Sequence, residues 1–250
     1  MGDIIVSANA LTKVFRTGQQ EVHALRGVNL EVHAGEFMAL VGPSGSGKTT
    51  FLNLVGALDV PSGGELRVLG RSVGTLTARE RADLRLRSIG FVFQAYNLFP
   101  HMSVLDNVAL AAMFGHAGLD RPQAEREARH WLAFTGLEAR ASVYPGDLNL
   151  HQRKFLELAR ALASRPSLVF LDEVLSGLTP AEIDDAVRLV REIRAQGATV
   201  VFVEHVMRAV MQLTDRVVVL NHGRVIAEGL PEATMREPEV VRAYLGGAHA

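Results

Sequence analysis

The chain contains no cysteine, which excludes disulfides and thiolate metal sites and suits a reducing compartment. It also lacks any uninterrupted apolar run near the ~18 residues that a membrane-spanning helix requires. Residues 102–119 come nearest, but Asp106, Asn107 and His116 interrupt them, and the stretch reads as an amphipathic helix. The opening MGDIIVSANALTKVF has neither the basic start nor the apolar stretch of a secretory signal. Any membrane role is therefore expected to come through a partner. Excess charge is missing as well: 26 Lys and Arg stand against 27 Asp and Glu, for a net charge of -1. That balance offers no footprint for a nucleic-acid backbone, so no nucleic-acid partner is expected. The basic run Arg79, Arg81, Arg85 and Arg87 is broken by Glu80 and Asp83 and reads as a solvated helix face.

What is present fits a globular α/β protein. Hydrophobic residues make up 48% of the 250 and charged ones 21%, enough for one large domain or two small ones. Strand-like apolar runs occupy residues 37–41, 89–93, 168–171, 199–203 and 216–220. Helical patterns lie between several of them, as over residues 181–195, with Ile183, Val187, Leu189, Val190 and Ile193 on one face. Such alternation predicts a largely parallel sheet covered on both faces. Residues 95–163 carry no convincing strand, and 121–134 read as a charged amphipathic helix, which predicts a helical subdomain inserted into the α/β core. Residues 216–220 and 224–228, joined through Asn221, His222 and Gly223, predict a β-hairpin.

Two motifs carry chemistry. Gly42, Pro43, Ser44, Gly45, Ser46, Gly47, Lys48 and Thr49 match G-x-x-x-x-G-K-[ST] in full. The match follows a predicted strand and opens a predicted helix over 49–57, the context the motif needs. Glycines let backbone N–H groups turn onto phosphates, and the helix N-terminus adds its positive end. Lys48 would neutralise the β- and γ-phosphates of a nucleotide, and the Thr49 hydroxyl would ligate Mg²⁺. The second motif is Ser167-Leu-Val-Phe-Leu-Asp172-Glu173. An apolar run ending in two acids is a buried strand that delivers carboxylates to its C-terminal end, where α/β ligands bind. Asp172 suits organisation of Mg²⁺, and Glu173 suits a general base aligning the attacking water. No Asn-Lys-x-Asp base-reading motif occurs, which argues against a GTPase.

In the order of these landmarks the chain resembles the ATPases of ABC transporters, over essentially its whole length. The resemblance implies an α/β P-loop NTPase core (1–94 and 164–250), a helical subdomain (95–163) and an N-terminal antiparallel β region. It implies an ATP site including Phe15, against adenine, and Thr50 beside the phosphate loop. Gln94, ending Gly90-Phe-Val-Phe-Gln94, would touch Mg²⁺ or water and report to a transmembrane partner. His205, ending Val201-Phe-Val-Glu-His205, would hydrogen-bond the γ-phosphate. The cofactor set is ATP with Mg²⁺ held by Thr49, Gln94 and Asp172. Transmembrane permease subunits and a second ATPase subunit, identical or related, are the implied partners, met at the cytoplasmic face of the inner membrane. Residues 94–110, with Tyr96, Leu98, Phe99 and Met102, form the expected permease-facing surface unless they pack inside the helical subdomain. Up to about Pro145 the chain is similar to lipoprotein-releasing and macrolide-exporting ATPases. From about Asp147 it is more similar to those of branched-chain amino-acid importers, as in Leu156-Glu-Leu-Ala-Arg160 and Glu204-His-Val-Met207.

Two positions depart from the family pattern. The signature Leu-Ser-Gly-Gly-Gln falls on Leu148, Asn149, Leu150, His151 and Gln152, where only the first and last residues match. A neutral His151 ring would obstruct close backbone approach to the other subunit's ATP and impair turnover, whereas a protonated one would supply charge instead. Val174 and Thr179 stand where the family usually has Pro and Asp after the catalytic Glu. These departures raise a second expectation, a regulatory subunit that scarcely hydrolyses. A soluble relative acting on ribosomes or DNA is disfavoured by the single phosphate loop and absent basic excess.

Overall fold

The computed structural model describes residues 2–18, 20–92, 97–115, 119–195 and 197–245. Two long strands, β1 (Ile4–Thr17) and β2 (Gln20–His33), precede the short buried β3 (Phe37–Val41) and helix α1 (Lys48–Val55). Then come β4 (Gly63–Val68), β5 (Arg71–Ser72), α2 (Ala78–Ser88), β6 (Ile89–Val92), α3 (Val104–Gly115), α4 (Arg121–Phe134) and α5 (Leu150–Ala163). The order continues with β7 (Leu168–Asp172), α6 (Pro180–Ala195), β8 (Thr199–Val203), α7 (Met207–Leu213), β9 (Arg216–Asn221) and β10 (Arg224–Gly229). Helices α8 (Pro231–Thr234) and α9 (Pro238–Leu245) follow. The chain folds into two compact units, residues 1–82 with 199–250, and residues 83–198.

The first unit holds two sheets. One is the antiparallel set β2-β1-β4-β5, the expected N-terminal β region. In the other, β3 lies between β8 and β9 and pairs with both in parallel, while β10 returns antiparallel to β9. β3 and β8 are buried along their whole length, which explains why they read as continuous apolar runs. Phe37 and Phe202 meet edge to face across this pairing, 5.7 Å between centroids. The hairpin turns through His222 and Gly223, at φ 46° and 77°, the left-handed pair that matches strand twist.

The second unit pairs β6 with β7 in parallel, with the Phe91 and Phe170 rings stacked 5.1 Å apart. Around 97–163 the described residues form helices α3, α4 and α5 and short 3₁₀ turns, with no strand among them. Helix α4 starts on a capping box: Gln123 N–H donates to Asp120 at 2.8 Å, and Asp120 N–H donates to Gln123 at 2.9 Å. Within the stretch read as an amphipathic helix over 102–119, the helix begins at Val104. Asn107, fully buried, accepts from Phe99 N–H at 2.8 Å, and its amide reaches the carbonyls of Phe99, Met102 and Ser103. One polar side chain thus shapes the loop ahead of α3. No helix among the described residues is long and apolar enough to cross a membrane.

Candidate functional site

The phosphate loop grows from a rigid base, because β3 is buried on every side before the chain reaches Gly42. A Cβ on Gly42 would stand 2.0 Å from the Leu220 carbonyl oxygen, so nothing larger than glycine fits against β9 there. Gly47, at φ 109°, would put a Cβ 2.7 Å from the Ala24 carbonyl oxygen. It caps α1 without any side-chain hydrogen bond. The first turn of a helix has no intrahelical acceptors for its amides, and such a helix start favours an anion. Lys48, buried, donates to the carbonyls of Gly42 at 2.8 Å and Pro43 at 3.0 Å. Ser46 Oγ is buried without a hydrogen-bond partner among the described residues, and its carbonyl is fixed by Gly223 N–H at 2.9 Å. Gly45, Ser46, Gly47, Lys48, Thr49 and Thr50 line an open cleft of about 330 Å³ together with Val22, His23, Ala24, Arg26 and His222. Pro43 is half-buried and Ser44 exposed at the bend of the loop.

Phe15 is 42% exposed and pairs across β1–β2 with Val22, one of the cleft residues. The Lys13 ammonium lies 5.1 Å from the Phe15 ring centroid and is also salt-bridged to Asp59 at 2.7 Å. His205 follows β8, whose parallel pairing with β3 brings the histidine and the phosphate loop out at the same end of the sheet. Its neighbour Glu204 carries no signal in the sequence pattern. Glu204 is only 2% exposed, and its carboxylate accepts the His205 N–H at 3.1 Å, so it sets the backbone from which His205 projects.

In the second unit β7 ends at Asp172, and Glu173 is the next residue. Glu173 takes φ 51°, a left-handed conformation that costs a non-glycine residue energy. Its carbonyl accepts from Lys154 Nζ at 3.3 Å and from Ser176 N–H at 3.2 Å. Gln94 lies outside the described residues. Where the chain resumes, Asn97 is gripped by α5: its N–H donates to Glu157 at 2.9 Å, and its carbonyl accepts from Arg160. Burial pushes the Glu157 carboxyl up to about 7, with the Asn97 N–H and the charges of Arg160 and Lys154 pulling the other way.

The signature-like residues form the start of α5. Leu148 is buried, and Asn149 caps the helix in a box with Gln152, at 2.8 and 3.1 Å. Leu150 is exposed. The His151 ring packs on Phe155, 4.0 Å between centroids, with Nδ1 3.9 Å from Glu182. Thr179 N–H donates to the same Glu182 at 2.8 Å, making Thr179 and Glu182 the capping box of α6. The two departures from the family pattern thus share one carboxylate. Bonds from the Thr179 backbone and hydroxyl hold that carboxyl below its ordinary range.

A glycine cradle at a helix N-terminus, fed by a buried parallel strand and walled by a cleft, defines a phosphate-loop nucleotide-binding protein of the α/β class. Within that class the chain belongs to the ABC transporter family, whose model matches residues 25–176. A second model, for branched-chain amino acid ATP-binding cassette transporters, matches residues 224–250. The lipoprotein-releasing system ATP-binding protein LolD of Chromohalobacter salexigens is 38% identical over 222 residues, 89% of this chain and 93% of that protein. The macrolide export ATP-binding/permease protein MacB of Burkholderia lata is 38% identical over 88% of this chain, which spans 31% of its length. The methionine import ATP-binding protein MetN of Corynebacterium jeikeium is 33% identical over 93% of this chain, which spans 63% of its length. Among solved structures, the dimeric ATP-binding cassette MJ0796 bound to ADP and Pi superposes with a TM-score of 0.85 at 32% identity, covering 90% of this chain and 98% of its own. The ADP form of the cassette MJ1267 gives 0.82 at 26%, covering 98% and 99%.

Proposed function

We propose that this chain binds ATP with Mg²⁺, hydrolyses it in a dimer of identical or related cassettes, and drives separate permease subunits from the cytoplasmic face of the inner membrane. The carrying observation is the phosphate loop: a cradle in which Gly42 and Gly47 leave no room for a Cβ, with Lys48 beside them. Lys48 exchanges the carbonyls of Gly42 and Pro43 for the β- and γ-phosphates, and the α1 amides neutralise the rest. Phe15 offers its exposed face to adenine. Among the described residues no group of three His, Cys, Asp or Glu side chains forms a metal site. A cation that brings its own phosphate oxygens needs fewer protein ligands, and Thr49, Asp172 and Gln94 are of the hard oxygen type that Mg²⁺ takes. Bound there, Mg²⁺ supplies charge neutralisation at the phosphates. Glu173 aligns the attacking water, His205 contacts the γ-phosphate, and the residues from Leu148 to Gln152 face the ATP of the other subunit. The names of LolD, MacB and MetN, all ATP-binding proteins of transport systems, support the transport reading.

The test is nucleotide binding and turnover by the purified chain. Lys48→Ala should abolish or greatly weaken binding of a fluorescent ATP analogue, and near-unchanged affinity would overturn the phosphate-loop assignment. Glu173→Gln should bind ATP normally, stop releasing phosphate and accumulate as an ATP-bound dimer on size exclusion. Turnover at the wild-type rate would remove Glu173 as the base.

A further inference from the structure

Lys154 sits on α5, two residues past the end of the signature-like segment. It is 8% exposed, and an ammonium this buried is retained only where acceptors surround it. Two of its acceptors are main-chain carbonyls. Nζ donates to the main-chain carbonyls of Glu173 and Ser176, the two ends of a tight bend leaving β7. The Ser176 N–H closes the same bend onto Glu173 O at 3.2 Å. Glu173 opens the bend in the left-handed region, which is unfavourable for a residue with a side chain and persists only if its surroundings hold it. A methionine would fill the same volume, yet it could not grip two carbonyls. The fully buried carboxyl of Glu157, one turn along α5, faces the same ammonium electrostatically.

We propose that Lys154 is a positioning residue for the Glu173 carboxylate, clamping the strained backbone of that residue from the helix that begins with the signature-like segment. The inference rests on the reading of Glu173 as the base. When the clamp is absent the bend relaxes, Glu173 leaves its left-handed conformation, and its carboxylate swings away from the attacking water. Displacement of a reacting group by about 1 Å costs on the order of 10²-fold in rate. Nucleotide affinity lies in the phosphate loop and is untouched.

The experiment measures Mg²⁺-ATPase kinetics on the full chain for Lys154→Met, Lys154→Arg and Glu173→Gln, with active sites counted by stoichiometric ATP binding. Lys154→Met should lose about 10- to 100-fold in kcat per active site with KM for ATP within twofold of wild type. Lys154→Arg, which keeps charge and donors, should recover most of the rate. A purely structural lysine predicts a lower Tm and fewer active sites but unchanged kcat per site, and that result overturns the proposal. So does a Lys154→Arg variant as slow as Lys154→Met. If Lys154→Met does not fold, Lys154→Gln, which retains one amide donor pair, carries the same comparison. The parallel arm separates the two readings: an active Glu173→Gln removes the base assignment itself, whereas a dead Glu173→Gln with a fully active Lys154→Met overturns only the clamp.

Discussion

His151 shows how a single departure changes meaning once its neighbours are known. The sequence alone presents an imidazole where the family has glycine, and so an obstruction to the opposing ATP. In the folded chain the ring is one-fifth exposed and lies between Phe155 and Glu182 of its own unit. Replacing it therefore has two effects of opposite sign. His151→Gly removes an aromatic contact and places glycine in the first turn of α5, which should lower stability by about 1–2 kcal/mol. The same change restores close backbone approach, and turnover at pH 7.5 should rise several-fold with unchanged ATP affinity. Thermal melts and phosphate release on the same samples check both arms. A variant that is less stable and no faster would show that the ring serves packing alone.

At the scale of the element, α5 does more than cover the core. Its first turn is capped by Asn149 and Gln152, its second holds the Glu173 bend through Lys154, and its third grips Asn97 through Glu157 and Arg160. Glu157 makes this helix sensitive to pH. Its carboxyl ordinarily titrates near 4.5 and in the folded chain is pushed up to about 7 by burial, despite the nearby charges of Arg160 and Lys154. Between those values the folded state holds a proton that the unfolded state has lost. The resulting stability is fully present below the lower value and is lost as pH rises through the upper one, by at most about 3 kcal/mol. Glu157→Gln should remove that slope. Between pH 5.5 and 8.5 the wild type should lose roughly 4–8 °C of Tm relative to the variant, read by differential scanning fluorimetry. Parallel curves for the two proteins would place the Glu157 carboxyl at its ordinary value.

For the whole molecule the proposed function requires a surface that meets the permease. The loop at 97–103 is shaped by the buried Asn107, which ties up its carbonyls and leaves Phe99 48% exposed. Leu98 and Met102 are only half-buried, so this segment is not absorbed by the helices behind it. An apolar surface on a loop with a fixed shape suits a permease. Because the chain has no cysteine, His101→Cys introduces a single crosslinking handle at an exposed position. In cells that transport normally it should capture a membrane protein, and failure to capture one would sink this assignment. Tyr96, the other aromatic expected on this surface, lies outside the described residues.

The sequence by itself determined the phosphate loop, because the loop is contiguous and its chemistry is local. Eight successive residues carry the glycine conformations, the cation and the helix start. The two acids after an apolar run were legible for the same reason, as were the buried parallel strands, whose continuous apolar runs need no partner to be recognised. Tertiary structure alone decided what Lys154, Glu157, Glu204 and Asn107 do. Each is a buried polar side chain that works on backbone groups, and a backbone carbonyl leaves no mark in a sequence pattern. For Lys154 and Glu157 the partner also lies 19 and 60 residues away, at Glu173 and Asn97. The same holds for Glu182: its S/T-x-x-E capping box with Thr179 could be read in the sequence, but its approach to His151 could not, because only packing brings α5 and α6 to one carboxylate.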